Sequence, residues 1–171
     1  MKIGLLSDTH SHWDKRLDHY LSDCDEIWHA GDIGSLLVTD AIEALKPKKI
    51  RVVFGNIDDH QIRAEFKEGL HWTIDGVRFF MTHIGGRPGR YAKGIRSKLI
   101  KHKPNVFICG HSHLLLLKRD ESWGGLYINP GACGIYGFHQ KRTLLTFEIF
   151  NGQLQDMKVV ELGDRIKRED N

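Results

Sequence analysis

Five short apolar runs are each followed at once by aspartate, asparagine or histidine. The runs cover residues 3–6, 27–30, 50–54, 77–81 and 106–109. Apolar runs of this length, bounded by glycine and other turn residues, are typical of buried strands. In open α/β sheets the carboxyl ends of the strands share one edge, where ligands bind. We therefore expect the polar residues that follow the five runs to meet in one site.

Amphipathic segments lie between these runs and predict helices. Apolar residues recur every three or four positions over residues 13–21, 37–45 and 95–100, which is the spacing of one helix face. Strands that alternate with such helices are typical of parallel sheets. After residue 109 the pattern changes to strand-like segments at residues 114–118, 125–129, 144–150 and 154–161. We therefore expect an α/β fold of mixed sheets with helices outside, antiparallel in its C-terminal half.

Length and composition indicate one folded domain. The chain has 171 residues, of which 40% are hydrophobic. A domain of this size buries about 68–70% of its unfolded surface and needs no metal or disulfide to hold its core. We expect a single domain over residues 1–162 and a charged C-terminal tail over residues 163–171. The pairs Asp75-Gly76 and Asn151-Gly152 lie between strand-like runs and predict two hairpins.

The composition argues against several classes of protein. The three cysteines, Cys24, Cys109 and Cys133, are odd in number and far apart, which indicates neither a disulfide framework nor a zinc ribbon. The N-terminus has no signal-peptide pattern, and no apolar stretch approaches the ~20 residues of a spanning helix, so we expect a cytoplasmic protein without a membrane partner. The net charge of +3 argues against nucleic-acid binding by charge alone. Self-association is left open.

The residue types after the five runs favour borderline divalent cations. The candidate ligands are Asp8, His10, Asp32, Asn56, His83, His111 and His113. A set of aspartate, histidine and asparagine without cysteine suits manganese, iron, cobalt, nickel or zinc better than a thiolate site or an all-oxygen cage. Seven ligands exceed what one ion uses. Two ions that share a carboxylate would use them all, and such pairs clamp the attacking and leaving oxygens in phosphate-ester displacement.

The order of these motifs resembles a known family. The blocks Asp-x-His, Gly-Asp, Gly-Asn-x-Asp, His and Gly-His-x-His are similar to those of the calcineurin-like metallophosphoesterases. The short length and the Ser-Asp-Thr-His sequence from residue 7 resemble their small bacterial and archaeal phosphodiesterase branch. The resemblance covers residues 3–131 and includes Asn129-Pro130-Gly131. It implies two packed β-sheets flanked by helices on both outer faces, a four-layer αββα sandwich.

The resemblance also implies how the cations are held. One divalent ion would be bound by Asp8, His10, Asp32 and His113. The other would be bound by Asp32, Asn56, His83 and His111, so that Asp32 bridges the pair. Manganese is the favoured ion, with nickel, iron, cobalt and zinc as alternatives. Among these residues and their neighbours, Asp32, Asn56, Asp58 and His111 are expected to carry catalysis.

The implied function is the hydrolysis of small-molecule phosphate esters, in particular diesters. A hydroxide that bridges the two ions would attack phosphorus in line. A second hypothesis is a protein-binding subunit without activity, because a eukaryotic relative of this branch has that role. A third is a phosphomonoesterase or nuclease that uses the same ions. Retention of every ligand position favours an enzyme.

One departure from the family pattern concerns the leaving group. Many relatives carry a histidine after Gly-Asn that protonates the departing oxygen, whereas this chain has Ile57. Because isoleucine cannot donate a proton, the reaction needs a good leaving group or another donor such as His12, His60 or a metal-bound water. Arg87 and Arg90, in the glycine-rich segment after His83, are candidates for gripping phosphate, as is Asn56. His29 is expected to hydrogen-bond within the core.

Overall fold

The computed structural model describes residues 1–165, and these form twelve strands and four helices. In chain order they are β1 (Lys2–Leu6), α1 (Lys15–Leu21), β2 (Glu26–His29), α2 (Leu36–Ala44), β3 (Lys49–Val52), α3 (His60–Glu65), β4 (Gly69–Ile74), β5 (Val77–Thr82), β6 (Gly86–Arg87), β7 (Arg90–Tyr91), α4 (Ile95–His102), β8 (Val106–Ile108), β9 (Leu115–Asp120), β10 (Gly125–Pro130), β11 (Lys141–Phe150) and β12 (Gln153–Asp164).

Two five-stranded mixed sheets form the centre of the fold. The first has the order β12-β11-β1-β2-β3, and the second has the order β4-β5-β8-β10-β9. Strands β1, β2 and β3 are parallel, as are β5, β8 and β10. In the C-terminal half, β10 pairs antiparallel with β9, as predicted, but it is parallel to β8 on its other side, which the prediction missed. Both predicted hairpins, β4–β5 and β11–β12, are present.

The main core lies between the two sheets. Trp28 on β2 is fully buried and makes edge contacts with Trp72 and Phe79 of the second sheet and with Phe147 of its own sheet. Its indole N–H donates to Glu26, 2.9 Å away. Burial of aromatic side chains from both sheets fixes how the sheets face each other, because each such side chain removes 150–250 Å² from water.

Helices cover the outer face of each sheet. Leu17 and Leu21 of α1 pack with Ile42 of α2 on the first sheet, and Ile62 of α3 joins the same cluster. On the second sheet, Leu99 of α4 packs in a separate cluster of aromatic side chains. The predicted four-layer αββα sandwich is thereby confirmed. Helix α3 escapes a prediction from periodicity because its six residues bury only Ile62.

The C-terminal boundary differs from the prediction. Strand β12 continues to Asp164, so Gly163 and Asp164 belong to the sheet rather than to a tail that begins at residue 163. They pair with Arg142 and Lys141 of β11, and the Lys141 ammonium lies 2.8 Å from the Asp164 carboxylate. The rest of the predicted tail, residues 166–171, lies outside the described residues.

All three cysteines are free and buried. Burial raises the pKa of Cys24 to about 11 and those of Cys109 and Cys133 to about 12. Within residues 1–165, none of the helices has the length and hydropathy that a bilayer crossing requires.

Candidate metal centre

The carboxyl ends of the parallel strands in both sheets meet at one edge of the sandwich. The Asp8 N–H after β1 donates to the Gly31 carbonyl after β2, at 2.9 Å. The Gly110 N–H after β8 donates to the His83 carbonyl after β5, at 3.0 Å. The two sheets are joined where His83 Nδ1 lies 2.7 Å from the Ala30 carbonyl. These bonds bring the loops with the candidate ligands together.

Five candidate ligands have an unusual backbone conformation. The residues with φ between 48° and 68° include Asp8, His10, Asp32, His111 and His113. Left-handed backbone is uncommon for non-glycine residues, although aspartate, asparagine and histidine adopt it most readily. Such strain persists where the surrounding structure enforces it and is concentrated at functional sites. At these five positions the left-handed backbone turns the loop at a candidate ligand.

The candidate ligands form two groups, and within each group the ligand atoms all lie within 4.8 Å of one another. The first group is Asp8, His10, Asp32 and His113, and the second is Asp32, His83 and His111. Asp32 belongs to both groups. The structure therefore brings together six of the seven predicted ligands in the two sets that the family resemblance implies.

Distances within the first group show imidazole nitrogens and carboxylate oxygens that converge on one another. His113 Nε2 lies 3.2 Å from Asp8 Oδ1 and 3.3 Å from His10 Nε2. His10 Nε2 lies 3.8 Å from Asp32 Oδ2. Two imidazole nitrogens and two carboxylate oxygens that face one small volume form a donor set suited to a borderline divalent cation.

Two buried atoms in the site have no hydrogen-bond partner among the described residues. They are Asp8 Oδ1 and His83 Nε2, and they lie 3.9 Å apart. Leaving a buried polar atom unsatisfied costs about 1–3 kcal/mol. A cation bound between the carboxylates and imidazoles would satisfy both atoms. On this observation the residues present fit divalent cations.

His83 and Asp32 form a coupled pair in the second group, with His83 Nε2 3.2 Å from Asp32 Oδ1. Burial by itself lowers the pKa of His83, but Asp32 and Asp8 outweigh burial, and the net pKa is raised. Burial likewise opposes ionisation of Asp32, yet the adjacent His83 imidazole holds the pKa of this carboxyl below the usual value. Because ligands must lose their protons to bind a cation, cation and proton compete at His83.

His139 contacts the first group and was not predicted. Its Nδ1 lies 3.2 Å from His113 Nδ1, and its Nε2 lies 3.1 Å from the Gly134 carbonyl. Because a carbonyl only accepts, His139 Nε2 carries the hydrogen, and in the neutral ring Nδ1 is then an acceptor. Burial lowers the pKa of His139, which favours that neutral ring. His113 must therefore donate from Nδ1, which leaves its Nε2 lone pair free for a cation.

His29 connects the loops that carry Asp8 and Asp32, and its predicted core hydrogen bonds are confirmed. It is fully buried, its Nδ1 accepts the Gly31 N–H at 3.1 Å, and its Nε2 lies 2.9 Å from Thr9 Oγ1. The Thr9 hydroxyl also lies 3.0 Å from the Ile33 carbonyl. Burial lowers the pKa of His29 to about 4, so the ring is neutral near pH 7.

Asp58, which was predicted to be catalytic, lies between two loops of the site. Its two carboxylate oxygens accept the backbone N–H groups of Gly34 and Gly55, each at 2.7 Å. Asp58 is buried, with 4% of its surface exposed. Both oxygens are thus used to hold the loops on either side of Asp32. Asp58 acts on the site by positioning these loops.

Asn56 and Ile57 lie in the loop that passes Asp32. The Ile57 N–H donates to Asp32 Oδ1 at 3.1 Å, while the Ile57 side chain is 46% exposed. Asn56 is exposed and lines a cavity together with His83. Asn56 thus lies beside His83 of the second group.

Among the described residues, the other predicted substrate-binding side chains, those of His12, His60, Arg87 and Arg90, belong to neither ligand group. His60 is exposed as the first residue of α3, and His12 is half-buried, with its pKa lowered by burial and by Arg142. Arg87 and Arg90 face each other across the small β6–β7 hairpin. Within the described chain, neither arginine lines the cavity beside His83.

That cavity contains basic residues that the sequence analysis missed. It measures about 510 Å³ and opens beside His83 and Asn56. Arg63, Lys93 and Lys98 line it. They come from α3, from the segment before α4 and from α4 itself, so no local motif marks them as a group.

Comparisons with known proteins agree with this geometry. Residues 1–152 match the model of the calcineurin-like phosphoesterase superfamily domain. Phosphodiesterase MJ0936 from Methanocaldococcus jannaschii is 31% identical over 150 residues, which cover 78% of this chain and 84% of that protein.

Solved structures show the same fold. A structure described as a novel archaeal phosphodiesterase has a TM-score of 0.71 at 25% identity and covers 95% of this chain and 100% of its own. Vps29 from Chaetomium thermophilum has a TM-score of 0.74 at 12% identity, covering 97% of this chain and 100% of its own. Vps29 from Entamoeba histolytica complexed with zinc has a TM-score of 0.73 at 16% identity, covering 95% of this chain and 98% of its own.

Proposed function

Because the chain belongs to the calcineurin-like phosphoesterase superfamily, we propose that it is a metal-dependent phosphodiesterase that holds two divalent cations at the edge of its sheets. The observation that carries this proposal is the pair of ligand groups that share Asp32. The two buried atoms without hydrogen-bond partners, Asp8 Oδ1 and His83 Nε2, support it.

The chain would distribute its ligands over the two ions as the groups suggest. Asp8, His10, Asp32 and His113 would hold one ion, and Asp32, His83 and His111, joined by Asn56, would hold the other. When bound, the two ions supply an activated water as nucleophile and neutralise charge on the phosphoryl oxygens. Manganese is favoured by the aspartate and histidine set, with nickel, iron, cobalt and zinc as alternatives.

Hydrogen bonds from the chain's own side chains and backbone orient the candidate metal ligands. His83 donates from Nδ1 to the Ala30 carbonyl, which directs Nε2 toward the carboxylates. The Ile57 N–H fixes the Asp32 carboxylate from the opposite loop. Such preorganisation lowers the cost of rearranging charged groups during the reaction.

The proposed substrate class rests on the names of the similar proteins and on the residues in the loop beside the metal centre. Two of the similar proteins are named phosphodiesterases. A general acid contributes about 10²–10⁴-fold to such reactions, and neither Ile57 nor Asp58, whose oxygens are both engaged, supplies one. We therefore expect a preference for diesters with good leaving groups.

The test is hydrolysis of bis-p-nitrophenyl phosphate by protein reloaded with Mn²⁺ or Ni²⁺, with metal content measured on the same preparation. Asp32→Asn is expected to reduce the rate at least 100-fold and to lower the number of bound ions, because this residue serves both groups. Asp40→Asn, an exposed aspartate on α2, is the matched control and should leave both unchanged. Wild-type protein that binds no cation after reloading would refute the proposal.

A protein-binding subunit is the second candidate. Its specific support is the exposure of apolar side chains next to the His113–His139 contact, since Leu114 is 63% exposed and Phe138 is fully exposed. Protein that binds both cations but hydrolyses no phosphate mono- or diester would favour this candidate. Faster hydrolysis of p-nitrophenyl phosphate than of the diester would instead favour a monoesterase.

A further inference from the structure

From the cavity beside His83 we infer that the substrate is a phosphodiester with a second phosphate group on one of its arms, and that Arg63, Lys93 and Lys98 bind that group. The inference rests on the proposed function, which it extends from the reacting phosphate to the rest of the substrate. Its starting observation is that one cavity joins a candidate metal ligand, His83, to three cationic side chains.

The position of the cavity makes it a continuation of the metal centre. His83 and Asn56 line it on one side, and both follow strands whose carboxyl ends form the centre. A phosphoryl group held by the two ligand groups would have one ester arm directed into this space. The volume of about 510 Å³ lies within the about 300–1,000 Å³ typical of small-molecule sites.

The charge of the cavity favours an anionic arm. Arg63, Lys93 and Lys98 line it together with one carboxylate, that of Glu68, which leaves an excess of two positive charges. Among residues 1–165, none of the three cations forms a salt bridge with a carboxylate. Unpaired cations next to a cavity attract phosphate, and arginine and lysine are its usual protein ligands.

Arg63 is held in place before any ligand arrives. Its Nε donates to the Asp58 carbonyl at 2.7 Å, and its Nη2 donates to the carbonyls of Gly55 and Asn56 at 3.1 and 3.2 Å. The guanidinium lies 4.7 Å above the Phe54 ring. Carbonyl partners fix the side chain without neutralising it, and Nη1 forms no hydrogen bond within the described chain. Two N–H groups thus remain for an oxyanion, with little entropy left to lose.

Lys93 and Lys98 line the same cavity as Arg63. Lys98 lies on α4, and Lys93 lies immediately before the Gly94 cap of that helix. Both are exposed and free to move toward a ligand. The Arg63 side chain is thus fixed, whereas the side chains of Lys93 and Lys98 can adjust their positions. This combination suits a phosphate at the end of a flexible arm.

The experiment compares two chromogenic diesters that differ only in the second phosphate: the p-nitrophenyl ester of thymidine 5′-phosphate, with and without a 3′-phosphate. Reloaded wild-type protein is expected to show a kcat/KM at least tenfold higher for the 3′-phosphorylated ester. In the double variant Lys93→Ala/Lys98→Ala this ratio should fall to near one. Lys101→Ala, on the same helix but outside the cavity, should keep the wild-type ratio.

Binding separates failure of this inference from failure of the proposed function. Calorimetry with thymidine 3′,5′-bisphosphate and thymidine 5′-phosphate should give at least tenfold tighter binding of the bisphosphate, reduced in the double variant. If neither ester is hydrolysed but this preference is found, the proposed function fails and the anion site stands. Equal kcat/KM and equal affinity for each pair, or a preference that survives the double substitution, would overturn the inference.

Discussion

Replacing His29 with glutamine is expected to reduce the loss of stability that the protein suffers between pH 6.5 and pH 4. The folded-state pKa of His29 is about 4 because the ring is fully buried, whereas the ordinary value of a histidine is 6.5. Between these values the unfolded chain binds a proton that the folded chain does not. The contribution of His29 to stability is therefore fully present above about pH 6.5 and is lost as the pH falls toward 4.

The size of the effect follows from the two pKa values. One unit corresponds to 1.36 kcal/mol, so the depression from 6.5 to about 4 amounts to about 3 kcal/mol. Glutamine can keep the donor to Thr9 but loses the acceptor for the Gly31 N–H, which adds a pH-independent loss of about 1–3 kcal/mol. The variant is thus about 1–3 kcal/mol less stable than wild type at pH 7, whereas at pH 4 it equals wild type or exceeds it by up to about 2 kcal/mol.

The assay is urea denaturation of metal-free protein in EDTA at several pH values between 4 and 7. Other histidines with lowered pKa, such as His10 and His139, titrate in both proteins and cancel in the difference between them. His19→Gln, an exposed histidine on α1, is the matched control and should follow wild type. A free-energy difference between wild type and His29→Gln that stays constant from pH 7 to pH 4 would refute the reasoning.

Two further predictions concern cation binding and thiol reactivity. His139→Ala should weaken Mn²⁺ binding about 10–100-fold, because the His113 tautomer is no longer fixed. His139→Gln should restore part of the affinity, and calorimetry measures both variants. Unchanged affinity in the alanine variant would contradict the role of His139 in orienting His113. All three buried cysteines, with pKa values of about 11 to 12, should resist a thiol-modifying disulfide reagent at pH 8 in the folded protein and react fully in urea. Rapid labelling of even one thiol without denaturant would count against their burial.

The four-layer architecture was predictable because its signals are local or carried by ordered motifs. The five strands that lead to the site each leave a short apolar run, and α1, α2 and α4 leave an apolar face, whereas α3 does not. The parallel partner of β10 was not predictable from the run 125–129, since the strand next to it in sequence, β9, is not its parallel neighbour in the sheet. Strand order depends on how distant segments pack, which a local pattern does not encode.

By itself the sequence determined which residue types stand at the ends of the strands, and hence that Asp8, Asp32 and His113 would meet at one edge. Only the tertiary structure decided what distant partners do to each side chain. In the folded chain both oxygens of Asp58 accept hydrogen bonds, His139 contacts His113, and the basic side chains of Arg63, Lys93 and Lys98 line a cavity beside His83. The physical reason is that residue identity fixes what a group can donate or accept, whereas its partners are set by contacts between loops far apart in the chain.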